Sequence, residues 1–298
     1  MNSAFGMNLH IDLESVGIIR PIVSATRLES SAFAQLTSLM ESDVRAHVFG
    51  LAMLERWGVE GRSGTEWWGV YDEQGSLRSV AFAGDWKAHR GFGLVVPMGD
   101  PDWASSLGAA LSARGGAEWV VGEQAVTDVV WQHMDMPNPR LSSRQLLMEA
   151  CHVEPGATLD LRLAGLSDLQ WVHTAARQMM IDDLGIDPVS QDFKHFNRSV
   201  EASIAADSEY VAVHDALLVY RVKVGPGGRN GVQIGGIWVP PGARGRGVGQ
   251  AGTRSMLTNL LREYPRVTLH VRSDNTAAIR SYLSVGFHHV RDFRLLVR

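Results

Sequence analysis

The 298-residue chain has one cysteine, Cys151, and so neither an internal disulfide nor a cysteine-rich zinc or iron–sulfur centre is available to it. No apolar run approaches the ~18 residues needed to cross a bilayer. The N-terminal residues carry Asp12 and Glu14 early and have no basic segment ahead of an apolar stretch, so they do not read as a secretory signal. The expected location is the cytoplasm. A stripe of interleaved basic and aromatic residues is also missing, and neither nucleic acid nor a membrane is an expected partner. What is present is ordinary for a globular protein, with 45% apolar and 20% charged residues. That balance excludes a disordered chain, a collagen and a coiled coil, and the length suits about two domains.

The net charge of −4 is unevenly spread. Residues 240–298 hold ten arginines, no lysine and three acids (Glu263, Asp274, Asp292), a balance of +7 against −11 for the rest. A local anionic ligand would explain this, and so would arginines decorating a terminal helix and strand.

Along the chain, short strands and helices alternate. Residues 31–57 have helical spacing; EWWGVYDEQGSLRSVAFAG reads as strand, turn at Glu73–Gly75, strand. RGFGLVVPMG is a further apolar run, DWASSLGAALSARG a helix, AEWVVGE a strand and VTDVVWQHM a helix. A turn cluster at Glu154–Gly156 falls near mid-chain and marks the expected boundary, giving units 1–154 and 155–298. The order then recurs. A helix begins near Ser167 as N-cap and stops at Gly185, a second helix follows, and two strands flank a polar turn. GPGGRNG reads as a loop, VQIGGIWV as a strand, and helix, strand, helix and strand complete the chain. Two copies of one α/β unit, each a mixed sheet flanked by helices, is the expected fold class.

The densest signal is the glycine loop at 239–252. Glycines let several N–H groups turn into one concavity, and the helix that follows adds its positive end. The phosphate loop of nucleotide hydrolases is excluded, because no Gly-Lys-Ser/Thr follows. The dinucleotide spacing is met by Gly247, Gly249 and Gly252. It fails on context: the next strand ends at Arg272 without an acidic tip, and the rest of a nicotinamide-binding sheet cannot fit in 26 residues.

A third pattern fits. Val239, Pro241, Arg244, Gly245, Gly247 and Gly249 form one signature between strand and helix, and Asn275, Ala278, Tyr282, Gly286 and Phe287 form a second in register on the next helix. Over residues 156–298 the chain resembles a GNAT N-acetyltransferase, and as a whole it resembles the tandem form, in which a degenerate N-terminal copy precedes an active one. The resemblance implies transfer of acetyl from acetyl-CoA directly to an amine acceptor, small molecule or peptide. It places the pyrophosphate of coenzyme A on the amides of Gly245, Arg246, Gly247, Val248, Gly249 and Gln250, with Arg244 adding charge and Arg246 either adding charge or lying solvated on the loop. The pantetheine arm would lie along the main chain of Ile237, Trp238 and Val239, with Asn275 hydrogen-bonded to it and Tyr282 as the catalytic acid, against the plainer role of a tyrosine packed on the adjacent strand. Alternatives are a non-catalytic acyl-CoA-binding or sensing module, and an acyltransferase with a different acyl donor.

His270 lies on RVTLHVR, where Val267, Leu269 and Val271 alternate to one face and His270 to the other. It is a candidate general base, against the plainer role of a satisfied buried histidine. Asp182 and Asp183, closing the first helix of the second unit, could contact an amine or simply end the helix in water. His288 and His289 have no partner at metal spacing, and no metal is expected. Trp57, Trp67, Trp68, Trp86, Trp103, Trp119 and Trp131 suit core and interface packing, and Cys151 has no evident activating base. In the first unit, Val96–Asp102 is the counterpart of the glycine loop; it places carboxylates where phosphate would sit and is expected to hold no cofactor.

Overall fold

The computed structural model describes residues 24–62, 64–84 and 91–298; Trp86 and the N-terminal segment read above lie outside the described residues. The first half runs β1 (Thr26–Arg27), α1 (Phe33–Glu41), α2 (Val48–Trp57), β2 (Glu66–Tyr71), β3 (Leu77–Gly84), β4 (Phe92–Gly99), α3 (Ser105–Ala113), β5 (Ala117–Glu123), α4 (Gln124–His133) and β6 (Leu141–Ala150). The second runs β7 (Arg162–Leu163), α5 (Leu169–Leu184), α6 (Pro188–Ala205), β8 (Glu209–His214), β9 (Leu217–Gly228), β10 (Gly231–Trp238), α7 (Val248–Leu260), β11 (Val267–Arg272), α8 (Thr276–Leu283) and β12 (His288–Val297). The order of helices and strands is the same in both. The tandem α/β repeat expected from the sequence is present.

The repeats do not form two separate sheets. One sheet of twelve strands has the order β1-β2-β3-β4-β5-β12-β6-β11-β10-β9-β8-β7. Each half gives its last strand to the other: β12 pairs with β5, β6 pairs with β11, and the two exchanged strands pair with each other at the centre. The cores record the exchange. Leu296 of β12 is buried with Val70, Phe92, Leu107 and Val120 of the first half. Met148 and Ala150 of β6 are buried with Tyr220, Val232, Met256 and Phe287 of the second. The cut at 154/155 therefore divides the chain without dividing the sheet.

Several sequence expectations change in detail. Residues 31–57 form two helices, broken at 42–47, where the buried His47 ring makes a 3.0 Å hydrogen bond with the Met40 carbonyl. Gly185 ends α5 in the left-handed region (φ 65°), as its stop signal required. Ser167 does not cap that helix. It sits inside a tight turn at Leu166–Asp168, where the buried Asp168 carboxylate accepts the Gly165 N–H and two bonds from Arg162. The segment GPGGRNG is not a loop throughout, since β9 continues to Gly228 and only Arg229 and Asn230 turn. Trp67 and Trp131 are buried, with Trp57, Trp68 and Trp103 packed against the cores.

The charge asymmetry has a structural outlet. Arg291 on β12 donates to Glu123 at 2.9 Å and to Asp43, and Arg294 lies 3.1 Å from Asp128. Arg254, only 8% exposed, donates to the carbonyls of Glu154 and Ala157 and so fastens the linker to α7. Much of the C-terminal arginine excess is spent joining the halves rather than waiting for an anionic ligand.

Candidate functional site

β10 and β11 are parallel neighbours only at Val232–Val267 and Gln233–Thr268. Beyond that register β10 runs on to Trp238 and β11 to Arg272 without a shared ladder, and a cleft of about 1040 Å³ opens between them. A bulge helps to turn β10 away. Its register against β9 shifts between Gly235 and Trp238, and Gly236 sits at φ +60°. The Gly236 carbonyl accepts a 3.1 Å bond from Arg221, itself bound bidentate to Glu209, with both side chains under 5% exposed. Burying that pair is tolerable because each guanidinium nitrogen has an acceptor, and removing either partner would strand a charge.

Past Trp238 the chain makes one turn at Pro241–Ala243 and enters α7 through Gly247, its N-cap, at φ +78°. No side chain caps this helix, so its first amide groups remain available to an anion. A Cβ built on Gly245 would meet nothing within 4 Å, and one on Gly247 only Gln250 Oε1 at 4.0 Å. The loop thus encloses room at the positive end of a helix, which fits a phosphate group. Gly252 serves packing instead. A Cβ there would meet the Tyr220 ring at 2.5 Å, so its bareness lets α7 lie on β9.

The cleft brings together most of the residues singled out from the sequence. Ile237, Trp238 and Val239 line one wall, Gly245, Gly247, Val248, Gly249 and Gln250 the loop end, and His270, Asn275 and Tyr282 the opposite side. Arg244 also lines it, but turns back: its Nε donates to the Val239 carbonyl at 3.0 Å and its Nη2 lies 3.5 Å from Asp182. Arg246 is exposed on the loop and is not among the lining residues. Asn275 caps α8, its Oδ1 accepting the Ala278 N–H at 3.1 Å, which leaves its Nδ2 donors uncommitted among the described residues.

Tyr282 packs edge-on to Phe287 at 5.8 Å. Burial and the negative charge of Asp183 hold its phenol above the ordinary value, so it keeps its proton throughout the neutral range. His270 faces the cleft with its ring 4.7 Å from that of Phe293, and burial pulls its imidazole down to about 4. A base near 6.5 is therefore not what the fold provides; the ring is neutral at physiological pH and weakly basic. Asp183 is raised, first by burial, against the pull of the nearby Arg272. Arg272 itself is bound bidentate to Asp274 and donates to the carbonyls of Asp182 and Asp183. A side arm of about 470 Å³, lined in part by Ser143, Asp182 and Asp183, extends the cleft past these groups.

Other candidates fall away. His288 and His289 approach Glu149 and Asp292, and no cluster able to hold a metal occurs among the described residues. Cys151 is exposed, with its thiol pushed up by partial desolvation and by Glu149. Among the lining residues that the sequence did not single out are Gln145 of β6 and Leu295 of β12. Neither had a motif around it, because both arrive through strand exchange.

The first half lacks this opening. β4 and β5 stay close after their ladder ends, for a Cβ on Gly122 would meet the Pro97 carbonyl at 2.6 Å. Where the second half has free amides, Asp100 accepts the Asp102 N–H with its own carboxylate, and Arg78 binds that carboxylate at 2.9 Å.

Comparison with known proteins agrees with this geometry. The family model described as Acetyltransferase (GNAT) family matches residues 173–287. A mycothiol acetyltransferase from a Nocardioides species is 39% identical over 95 residues, 30% of this chain and 32% of that protein. The match thus spans about a third of that relative's length. Among solved structures, an N-acetyltransferase from Sphaerobacter thermophilus superposes with a TM-score of 0.59 at 15% identity, over 94% of this chain and 96% of that one. A tandem GNAT protein from the clavulanic acid biosynthesis pathway superposes with a TM-score of 0.54 at 12% identity, over 93% of this chain and 98% of that one. At these identities the structures establish the fold alone.

Proposed function

Because residues 173–287 match the GNAT acetyltransferase family, we propose that the protein is an acetyl-CoA-dependent N-acetyltransferase whose residues 155–298 carry the active unit. Residues 1–154 are a degenerate copy. The observation that carries this reading is the joint presence, in one cleft, of the splayed β10–β11 pair and the uncapped, glycine-edged start of α7. The free edge of β10 suits an extended amide-bearing arm, and the helix start suits a pyrophosphate.

Acetyl-CoA supplies an activated thioester. The acceptor nitrogen forms a C–N bond to the acetyl carbonyl carbon as the C–S bond breaks, and the sulfur keeps the bonding pair. Tyr282 gives the sulfur a proton from its phenol. The surplus proton of the nitrogen passes to the neutral His270 ring or onward to water. An amine with a lysine-like pKa near ~10.4 must lose that proton before attack, and a weak base can only relay it.

Calorimetric titration with acetyl-CoA tests the reading directly, and one equivalent per chain is expected. Two equivalent sites would overturn the degenerate status of the first half, and no binding would overturn the proposal. A second prediction concerns pH. The acidic limb of kcat/KM should fall with a midpoint near 4, where the buried imidazole becomes charged. In His270→Ala that limb should vanish, and its persistence would move the base to Asp183.

A further inference from the structure

The floor of the cleft belongs to both halves. Across β5, β12, β6 and β11, residues Glu123, Phe293, Gln145 and Arg272 stand directly opposite one another in that order. Leu147 stands opposite His270 two residues along, so Gln145, His270 and Arg272 share a face of the sheet. Gln145 thus lies on the strand next to the candidate base, in a segment 125 residues earlier in the chain.

Its side chain is 7% exposed, and Nε2 donates to Ser143 Oγ at 2.9 Å. Oε1 accepts nothing from the described residues, and it is not among the polar atoms sealed away from contact. Gln145 lines the cleft, which leaves this oxygen within reach of a ligand there. The Asp183 carboxylate lines the same cleft and accepts no side-chain or backbone bond from the described residues, since Arg272 is occupied by Asp274 and by main-chain carbonyls. Both groups can only accept. A hydroxyl or thiol brings one hydrogen and can satisfy one of them. A primary amine brings two after losing its proton, and three before.

We infer that Gln145, a residue of the first half, completes the acceptor site of the second: its Oε1 takes an N–H of a primary amine whose nitrogen lies between it and Asp183. This rests on the acetyl-transfer reading and adds to it a binding residue for the amine, supplied by the first half. With both N–H groups engaged, the lone pair of the neutral amine is the one feature of the nitrogen left unbound. The degenerate half then has a chemical role as well as a structural one.

The test uses the full chain, acetyl-CoA, and a panel of n-butylamine, putrescine, glucosamine and Nα-acetyl-lysine, with 1,4-butanediol as the hydroxyl control, read by release of free thiol. Gln145→Met keeps the length and volume of the side chain and removes its acceptor. The expected result is a KM for the best amine raised about tenfold or more, with an unchanged dissociation constant for acetyl-CoA. Gln145→Glu restores an acceptor and should recover a KM near that of the native chain. Equal KM values for native chain and Gln145→Met, or an equal loss in Gln145→Met and Gln145→Glu, would overturn the inference. So would binding of acetyl-CoA by the native chain with no primary amine accepted. Failure of acetyl-CoA to bind at all is a different result, and it removes the parent reading.

Discussion

Tyr282→Phe is expected to lower kcat by roughly 10²–10⁴, the usual span for a lost proton donor, with coenzyme affinity nearly unchanged. The reason is local. The ring packs edge-on to Phe287 and against the core of the second half, so phenylalanine keeps the packing and loses only the hydroxyl. The native chain should also keep its kcat as pH rises to about 10, because burial and Asp183 hold the phenol protonated above its ordinary value. Steady-state rates from about pH 6 to 10, with coenzyme binding measured separately, check both statements. Full activity of the variant at neutral pH would mean that the sulfur takes its proton from solvent.

Gly247→Val should abolish measurable coenzyme binding while leaving the protein folded. Valine at φ +78° is strained, and left-handed backbone costs a non-glycine residue about 1–2 kcal/mol. The side chain itself would enter open space, with Gln250 Oε1 at 4.0 Å as its nearest contact, so no core is disturbed. What it does fill is the concavity over the first amides of α7. Gly252→Val makes the contrast within the same motif. Its Cβ would meet Tyr220 at 2.5 Å, so its cost falls on stability, at about 1–3 kcal/mol for an overpacked site. Calorimetric binding together with thermal melts of both variants distinguishes a glycine that leaves room for a ligand from one that leaves room for a ring. Retained binding in Gly247→Val would exclude the loop as the phosphate site.

The contrast also shows what the sequence could and could not tell. Local chemistry was readable: the glycine loop, the Gly185 stop, and the alternation that buries Val267, Leu269 and Val271 while turning His270 to the cleft. Spacing alone could not separate the roles of Gly247 and Gly252, since the difference lies in what stands opposite each. Strand β6 has no legible signature, because LSSRQLLMEA does not alternate. Its first residues are partly exposed and its last four buried, the mark of a strand that enters the centre of a sheet. Its partners lie more than a hundred residues away, and no local signal carries a pairing of that range. The altered basicity of His270 was hidden for the same reason, because Phe293, which faces its ring, comes from the other exchanged strand.

That exchange also bears on how the protein comes into being. β12 occupies the place between β5 and β6, so the first half, though made earlier, stays an unfinished sheet until residues 288–297 have left the ribosome. Until then the free edges of β5 and β6 face solvent, where an unpaired strand invites another chain. The central pairings therefore form over the longest sequence distances in the sheet, the slowest class of contact to form. The cleft, floored by those same strands, takes shape with those pairings.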